Sequence, residues 1–103
     1  MDYREVDNKK DFVKLVQETL TETYELKNKF PDILIYKSIY NQLCDIEEKF
    51  IVKKEFLSDN EIFKRYSLGA IAVKNFDDTV EIYARKLEDI FGSLFSYDKM
   101  PEE

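Results

Sequence analysis

The sequence contains no histidine, one cysteine, two glycines and two prolines among its 103 residues. Without histidine, the chain lacks the commonest general base and the commonest imidazole metal ligand, and it cannot form a di-iron site of the Glu-x-x-His type. The single cysteine, Cys44, excludes an intramolecular disulfide and a metal site built from several cysteines. A sheet protein with many tight turns would need more than two glycines and two prolines. These absences predict an all-α protein with no cofactor and no bound metal.

Pairs of adjacent carboxylates are the remaining candidates for catalysis. They are Glu47-Glu48, Asp77-Asp78 and Glu88-Asp89. Neighbouring residues on a helix point about 100° apart, so the two members of such a pair do not converge on one substrate atom. We interpret these pairs as solvated faces or helix caps, and Cys44 as a packing residue. We therefore predict that the protein is not an enzyme, and a carboxylate enzyme with a metal is the weakest alternative.

Long hydrophobic runs are also missing. No apolar run follows Met1, and no stretch is long enough to cross a bilayer, which predicts a cytoplasmic protein without a signal peptide or a membrane partner. The net charge of −6 argues against nucleic acid as a partner, because phosphate backbones need clustered Lys and Arg. An acidic chain suits a basic partner, although solubility alone would also explain this charge.

Apolar residues recur at helical spacing along most of the chain. Their share of 44% excludes a disordered chain, and the length suits one domain. We predict a single helical domain over residues 1–103 with a frayed tail at 96–103. Its architecture is predicted to be a compact bundle of four to five helices, at about 8–29, 32–53, 59–66, 67–76 and 78–95.

Local signals support these boundaries. Asn8 or Asp7 can cap the first helix, and Pro31 ends it. The core stripe of this first helix is predicted to consist of Phe12, Leu15, Val16, Leu20 and Tyr24, with Thr19 and Thr23 on the same face. Ser58 and Glu61 have the spacing of a capping box, which predicts a helix that starts next to them.

The stretch 67–76, SLGAIAVKNF, is apolar nearly all round as a helix. Such a helix is expected in the middle of a packed domain rather than on its surface. Gly69 costs a helix about 1 kcal/mol relative to alanine, so it requires a packing or junction reason. We predict a core helix here, with Lys74 and the step Asp77-Asp78 projecting from its exposed end.

The second helix carries more apolar surface than one core stripe needs. Tyr36, Tyr40, Cys44 and Ile51 follow one flank, with Glu47 among them. Two interpretations stay open: a second neighbour covers this flank, or it is an aromatic contact strip, since tyrosine is enriched among interface hot spots.

Two segments of the sequence resemble a known family. They are FPDILIYKSIYNQL at 30–43 and LGAIAVKNFD at 68–77. The pattern of an aromatic residue and Pro, then Tyr-x-Ser-Ile-x-x-Gln-Leu, then Leu-Gly-x-x-Ala-Val-Lys-x-Phe-Asp, resembles small helical immunity proteins. Members of that family protect bacteria from NAD(P)+-glycohydrolase effectors of the type VI secretion system. The resemblance covers roughly residues 12 to 95.

The resemblance implies a mechanism of occlusion, in which the chain covers the basic NAD(P)+-binding cleft of a cognate toxin domain. It requires no catalytic residue in this chain. The contact residues that we expect are Tyr36, Tyr40, Glu47, Lys74, Asp77 and Asp78, of which Tyr36, Lys74 and Asp77 lie in the family pattern. The other three follow from helical geometry. The free protein is expected to be a monomer or a weak homodimer.

An alternative belongs to another class of protein. The same aromatic flank would suit a small helical adaptor, or a bundle that associates with itself through Tyr36 and Tyr40. A tight symmetric dimer would favour this alternative, whereas a monomer would leave the flank free for a toxin.

Overall fold

Five α-helices build the fold, as a computed structural model that describes residues 6–76 and 81–102 shows. They are α1 (Lys9–Lys29), α2 (Leu34–Ile46), α3 (Asp59–Arg65), α4 (Leu68–Asn75) and α5 (Ile82–Ser93). A π-helical segment, Glu47–Val52, continues α2, and a 3₁₀ turn, Tyr97–Lys99, follows α5. Of the described residues, 75% are helical and none forms a strand. The predicted all-α bundle of four to five helices is confirmed.

The start of α1 follows its capping signal. The side chain of Asn8 accepts a hydrogen bond from the backbone N–H of Asp11 at 2.8 Å, which satisfies one of the free amides of the first turn. Phe12, Val16 and Thr23 are fully buried, as the core stripe predicts. Tyr24 is the exception, because half of its side chain is exposed (51%).

The second helix differs from its predicted form. The helix predicted at about 32–53 begins at Leu34 in the structure, and its α-helical part ends at Ile46. The next six residues wind as a π-helix that carries Phe50 into the core. Lys54 follows with a φ of 53°, a left-handed conformation that turns the chain towards α3.

The capping box at the start of α3 is confirmed. Ser58 Oγ accepts from the N–H of Glu61 at 3.3 Å, and the Glu61 carboxylate accepts from the N–H of Ser58 at 3.1 Å. These reciprocal bonds satisfy backbone groups that the helix itself leaves free.

The helix α4 is less buried than its composition predicts. Leu68, Ile71 and Ala72 are buried, but Val73 is 63% exposed. The reason is position, because α4 packs mainly on α5 and only loosely on α2, which leaves one side at the edge of the bundle. The prediction of a helix covered on all sides is therefore wrong. Gly69 does have a packing reason, because a Cβ there would lie 3.2 Å from the ring of Phe91 in α5.

The core lies inside a ring of four helices. α1 packs against α2 and α5, and α4 contacts both α5 and α2. The largest fully buried apolar side chains come from α1, α2, the π segment, α3, α4 and α5: Phe12, Phe50, Ile39, Leu43, Ile46, Ile62, Leu68, Leu87 and Ile90. This ring fixes which side of α2 remains at the surface.

The segment after α5 also differs from expectation. Fraying was predicted from residue 96, but the ring of Tyr97 is buried with its centroid 4.6 Å from that of Phe12. The backbone carbonyls of Pro101 and Glu102 accept hydrogen bonds from the N–H groups of Lys9 and Lys10 at 2.8 and 3.2 Å. These bonds satisfy two amides of the first turn of α1, so the segment 97–102 completes the bundle.

Candidate partner-binding surface

The two sequence segments that carry the resemblance meet in the structure. Gln42 in α2 accepts a hydrogen bond from the backbone N–H of Ser67 at 2.8 Å, and its amide nitrogen donates to Ser67 Oγ at 3.1 Å. The amide nitrogen also lies 3.3 Å from Ser38 Oγ. Gln42 therefore joins the first segment to the residue that precedes α4.

An aromatic row continues from this junction to the α1–α2 turn. The ring of Tyr36 lies between Phe30 (centroids 6.2 Å apart) and Phe76 (6.3 Å), and Phe76 contacts Tyr83 edge-on at 5.6 Å. The hydroxyl of Tyr83 shares a buried hydrogen bond of 2.6 Å with Thr23, while burial raises the pKa of Tyr83. The row holds Tyr36 in place at the rim of the core.

Tyr40 belongs to a second aromatic group, between α1 and α2. Its ring centroid lies 5.9 Å from that of Tyr24, and the Nζ atom of Lys27 lies 5.4 Å from both centroids. We call these three residues the Tyr24–Lys27–Tyr40 cluster. The contact with the Cys44 thiol raises the pKa of Tyr40 most, and the charge of Glu47 raises it further. Glu47 thus lies at the edge of this cluster.

The structure brings together some of the predicted contact residues. Tyr36, Tyr40 and Glu47 are half-buried along one flank of α2 and its π segment. Lys74 is exposed in the last turn of α4 and makes no hydrogen bond or ion pair within residues 6–76 and 81–102. Asp77 and Asp78 lie outside the described residues. The flank is therefore open enough to contact a partner, and the ring of Phe76 connects Tyr36 to the end of α4.

A family model places this surface in a functional context. The model of the Tsi6 family matches residues 11–96, which include both resembling segments and all the helices from α2 to α5. The chain belongs to the Tsi6 family. Tsi6 is a family of type VI secretion immunity proteins, so the chain has an immunity role and a cognate toxin as its partner. Comparisons with curated proteins and with solved structures give no significant match.

Sequence reasoning missed two residues of the candidate surface of this Tsi6 chain. Tyr24 was assigned to the core stripe, and Lys27 was given no role. Tyr24 and Lys27 are three residues apart and thus share a helix face, a spacing that could have indicated the pair. Their approach to Tyr40 depends on how α1 packs on α2, which the spacing does not reveal.

Beside this surface, a charged network ties α3 to α2. Asp45 accepts two hydrogen bonds from the Arg65 guanidinium, at 2.6 and 2.8 Å, and one from the Tyr66 hydroxyl at 2.5 Å. The hydrogen bonds from Arg65 are the main cause that lowers the pKa of Asp45 to about 2. Because every partner of Asp45 is accounted for within the fold, we assign this network to stability rather than to contact with a toxin.

The described residues of this Tsi6 chain include neither a metal-binding cluster nor a membrane-spanning helix. In the part of the chain that the structure describes, no three His, Cys, Asp or Glu side chains gather closely enough to hold a metal ion. Of the helices described, none is both long enough and apolar enough to pass through a bilayer.

Proposed function

We propose that this protein binds the toxin domain of a type VI NAD(P)+ glycohydrolase and covers its active site. The observation that carries the proposal is a partly exposed flank of tyrosines and charged residues on a member of an immunity family. Family membership supports the immunity role. The glycohydrolase target rests on the resemblance of the segments at 30–43 and 68–77.

The proposed mechanism is occlusion by an acidic protein. A cleft that binds the phosphates of a dinucleotide needs positive charge, and a protein with a net charge of −6 is attracted to it. Tyr36 and Tyr40 supply aromatic contact area, and the carboxylate of Glu47 faces a basic group of the toxin. Lys74, Asp77 and Asp78 extend the contact beyond the end of α4.

This mechanism requires no catalytic group or cofactor in the immunity protein. We propose that it acts in the cytoplasm as a monomer or a weak homodimer, where it protects the NAD(P)+ pool of its own cell. Binding alone removes the toxin activity, because the dinucleotide cannot enter a covered cleft.

Affinity capture followed by an enzyme assay tests the proposed function. The tagged chain is used to capture its partner from native cells, and the captured toxin domain is then expressed alone and assayed for NAD+ and NADP+ hydrolysis. We expect hydrolysis to stop when a stoichiometric amount of this protein is added. A captured toxin without dinucleotide hydrolysis would contradict the glycohydrolase target, although not the immunity role.

A double variant tests the proposed surface. We expect Tyr40→Ala with Glu47→Lys to abolish neutralisation while the helical circular dichroism spectrum is kept, because both side chains lie at the surface. The control is Glu18→Lys, the same charge reversal at an exposed position of α1. Full protection by the first variant would exclude this flank as the toxin contact.

A second candidate function, self-association, is favoured by a different patch. Phe63 is 66% exposed, and its ring contacts Phe95 at 4.9 Å and Phe91 at 6.0 Å. Apolar patches of this kind occur at protein interfaces. Sedimentation equilibrium separates the two functions: a tight dimer that Phe63→Glu dissociates would favour the adaptor, and a monomer would favour the immunity mechanism.

A further inference from the structure

Lys27 is held at the surface by two aromatic rings. Its Nζ atom lies 5.4 Å from the ring centroids of both Tyr24 and Tyr40, and the Lys27 side chain is half-buried. Each such cation–π contact attracts the ammonium group to the negative face of a ring. The ammonium group is therefore pre-positioned, and little conformational entropy remains to be lost when a partner binds it.

Lys27 has no anionic partner within residues 6–76 and 81–102. It makes no hydrogen bond or ion pair there. Five other cations in the same ranges have carboxylate partners, in the ion pairs Lys9–Glu102, Lys49–Glu55, Lys53–Glu48, Arg65–Asp45 and Lys86–Glu22. Within these ranges the contacts of the Lys27 ammonium group are the faces of the two rings.

A partner that covers Tyr40 must also cover Lys27, because the two side chains are in contact. Removing an ammonium group from water is unfavourable unless an anion replaces the water. An interface on this flank is consequently stable only if the partner places a negative group against Lys27. Glu47 lies at the edge of the same cluster and carries a negative charge. A partner that covers Glu47 must therefore place a basic group against it.

We propose that the Tyr24–Lys27–Tyr40 cluster anchors the toxin interface and that Lys27 receives a carboxylate group of the toxin domain. This inference rests on the proposed function, which supplies the toxin as the partner. A carboxylate at Lys27 and a basic group at Glu47 together fix the orientation of the two proteins. They also reject toxins with the reverse charge pattern, because like charges would then meet.

Charge reversal at Lys27 tests this inference with the toxin domain captured as described above. We expect Lys27→Glu to weaken binding, measured by calorimetry, by a factor on the order of 10 to 100. Lys27→Met, which keeps the length of the side chain and removes the charge, should weaken it less. The matched control is Lys14→Glu, the same change at an exposed position of α1, which should bind like the natural protein.

A reciprocal substitution identifies the partner group as a carboxylate. Each surface Asp and Glu of the toxin domain is replaced in turn by Lys, and each variant is titrated with the Lys27→Glu protein. We expect one replacement to restore binding. Circular dichroism of Lys27→Glu verifies that a loss of binding does not come from unfolding.

The outcomes separate the inference from the proposed function. If the natural protein binds no glycohydrolase toxin, the proposed function fails and the inference fails with it. If the natural protein binds but Lys27→Glu and Lys14→Glu bind equally well, only the inference is overturned. If Lys27→Glu loses binding and no toxin carboxylate restores it, Lys27 contacts a group of another kind, which also overturns the inference.

Discussion

A single carboxylate, that of Asp45, ties α2 to the end of α3. Its side chain is largely shielded from water (27% exposed), and it binds Arg65 at the end of α3 and Tyr66 just before α4. A bidentate guanidinium contact of this kind is stronger than an ordinary surface ion pair. Because Asp45 lies 20 residues from Arg65, it connects parts of the chain that local helix formation leaves independent.

Asp45→Asn should destabilise the protein by about 1 to 2 kcal/mol at pH 7, because the lowered pKa of the carboxyl corresponds to roughly 2.5 kcal/mol and solvent screening at this partly exposed site reduces that energy. The folded pKa of about 2 lies below the ordinary value of 3.8. The stabilisation is therefore complete above about pH 4 and declines as the pH falls towards 2. Urea unfolding of both proteins at pH 7 and pH 3 should give a smaller difference at pH 3.

The control for this experiment is Asp32→Asn, at an exposed position in the turn before α2. We expect this variant to unfold at the same urea concentration as the natural protein at both pH values. A difference for Asp45→Asn that is equally large at pH 7 and pH 3 would contradict the role of its charge.

The contact between α4 and α5 depends on the lack of a side chain at Gly69. A Cβ at this position would lie 3.2 Å from Phe91, which is tighter than ordinary van der Waals contact, whereas a Cβ at Gly92 would have open space around it. Both glycines lie in terminal turns of helices and neither has a positive φ. Replacing each glycine by alanine therefore distinguishes the effect of helix propensity on stability from the effect of helix–helix packing.

Gly92→Ala should stabilise the protein by about 0.5 to 1 kcal/mol, because alanine loses less conformational entropy in a helix. Gly69→Ala gains the same propensity but must displace the Phe91 ring, so its stability should be clearly lower than that of Gly92→Ala. Thermal and urea unfolding of the two variants measure this difference. Equal gains would mean that the α4–α5 contact tolerates a methyl group, and Gly69 would then have no packing role.

At the scale of elements, helix positions were largely predictable from apolar periodicity and caps. The caps at Asn8 and at Ser58 with Glu61 correctly predicted where α1 and α3 begin, because a helix cap and the backbone groups that it satisfies are close in the sequence. The burial of α4 was not predictable, since an apolar helix with neighbours on one side has the same composition as one surrounded on all sides. The π turn at Glu47–Val52 was also missed, because the core residues around it keep an ordinary helical spacing.

The candidate surface was predictable only in part, for a related reason. Tyr36 and Tyr40 were placed correctly on a flank of α2, because they are four residues apart on one helix. Spacing also predicts ion pairs from Asp45 to Lys49 and from Glu61 to Arg65, but in the structure Asp45 and Arg65 bind each other. Contacts within a helix follow from sequence, whereas contacts between helices depend on packing. The contacts of Tyr24 and Lys27 with Tyr40 are of the second kind.

The whole molecule has the dimensions of one compact unit. Its radius of gyration is 13.1 Å, close to the roughly 13 Å expected for a single domain of 100 residues. One cluster of buried residues contains side chains from all five helices and from Tyr97. In the described residues no helix has a core of its own. Unfolding of any one helix would therefore expose apolar side chains of the others.

We expect the protein to unfold in a single cooperative transition, which would support the prediction of one domain. Far-UV circular dichroism reports on the helices, and near-UV circular dichroism reports on buried tyrosines such as Tyr83 and Tyr97, since the chain has no tryptophan. The two signals should change at the same urea concentration. Two separate midpoints would indicate that part of the bundle unfolds independently.

The hydrogen bonds from Lys9 and Lys10 to Pro101 and Glu102 bring the start of α1 next to the segment that follows α5. Positions 9 and 101 are in direct backbone contact, so a short linker between the two ends would require no rearrangement of the bundle. The order of the helices along the chain could then be changed by circular permutation, with new termini opened in the exposed connection at 53–56. In such a chain α3 would come first, and α2 would be joined to α5 through α1.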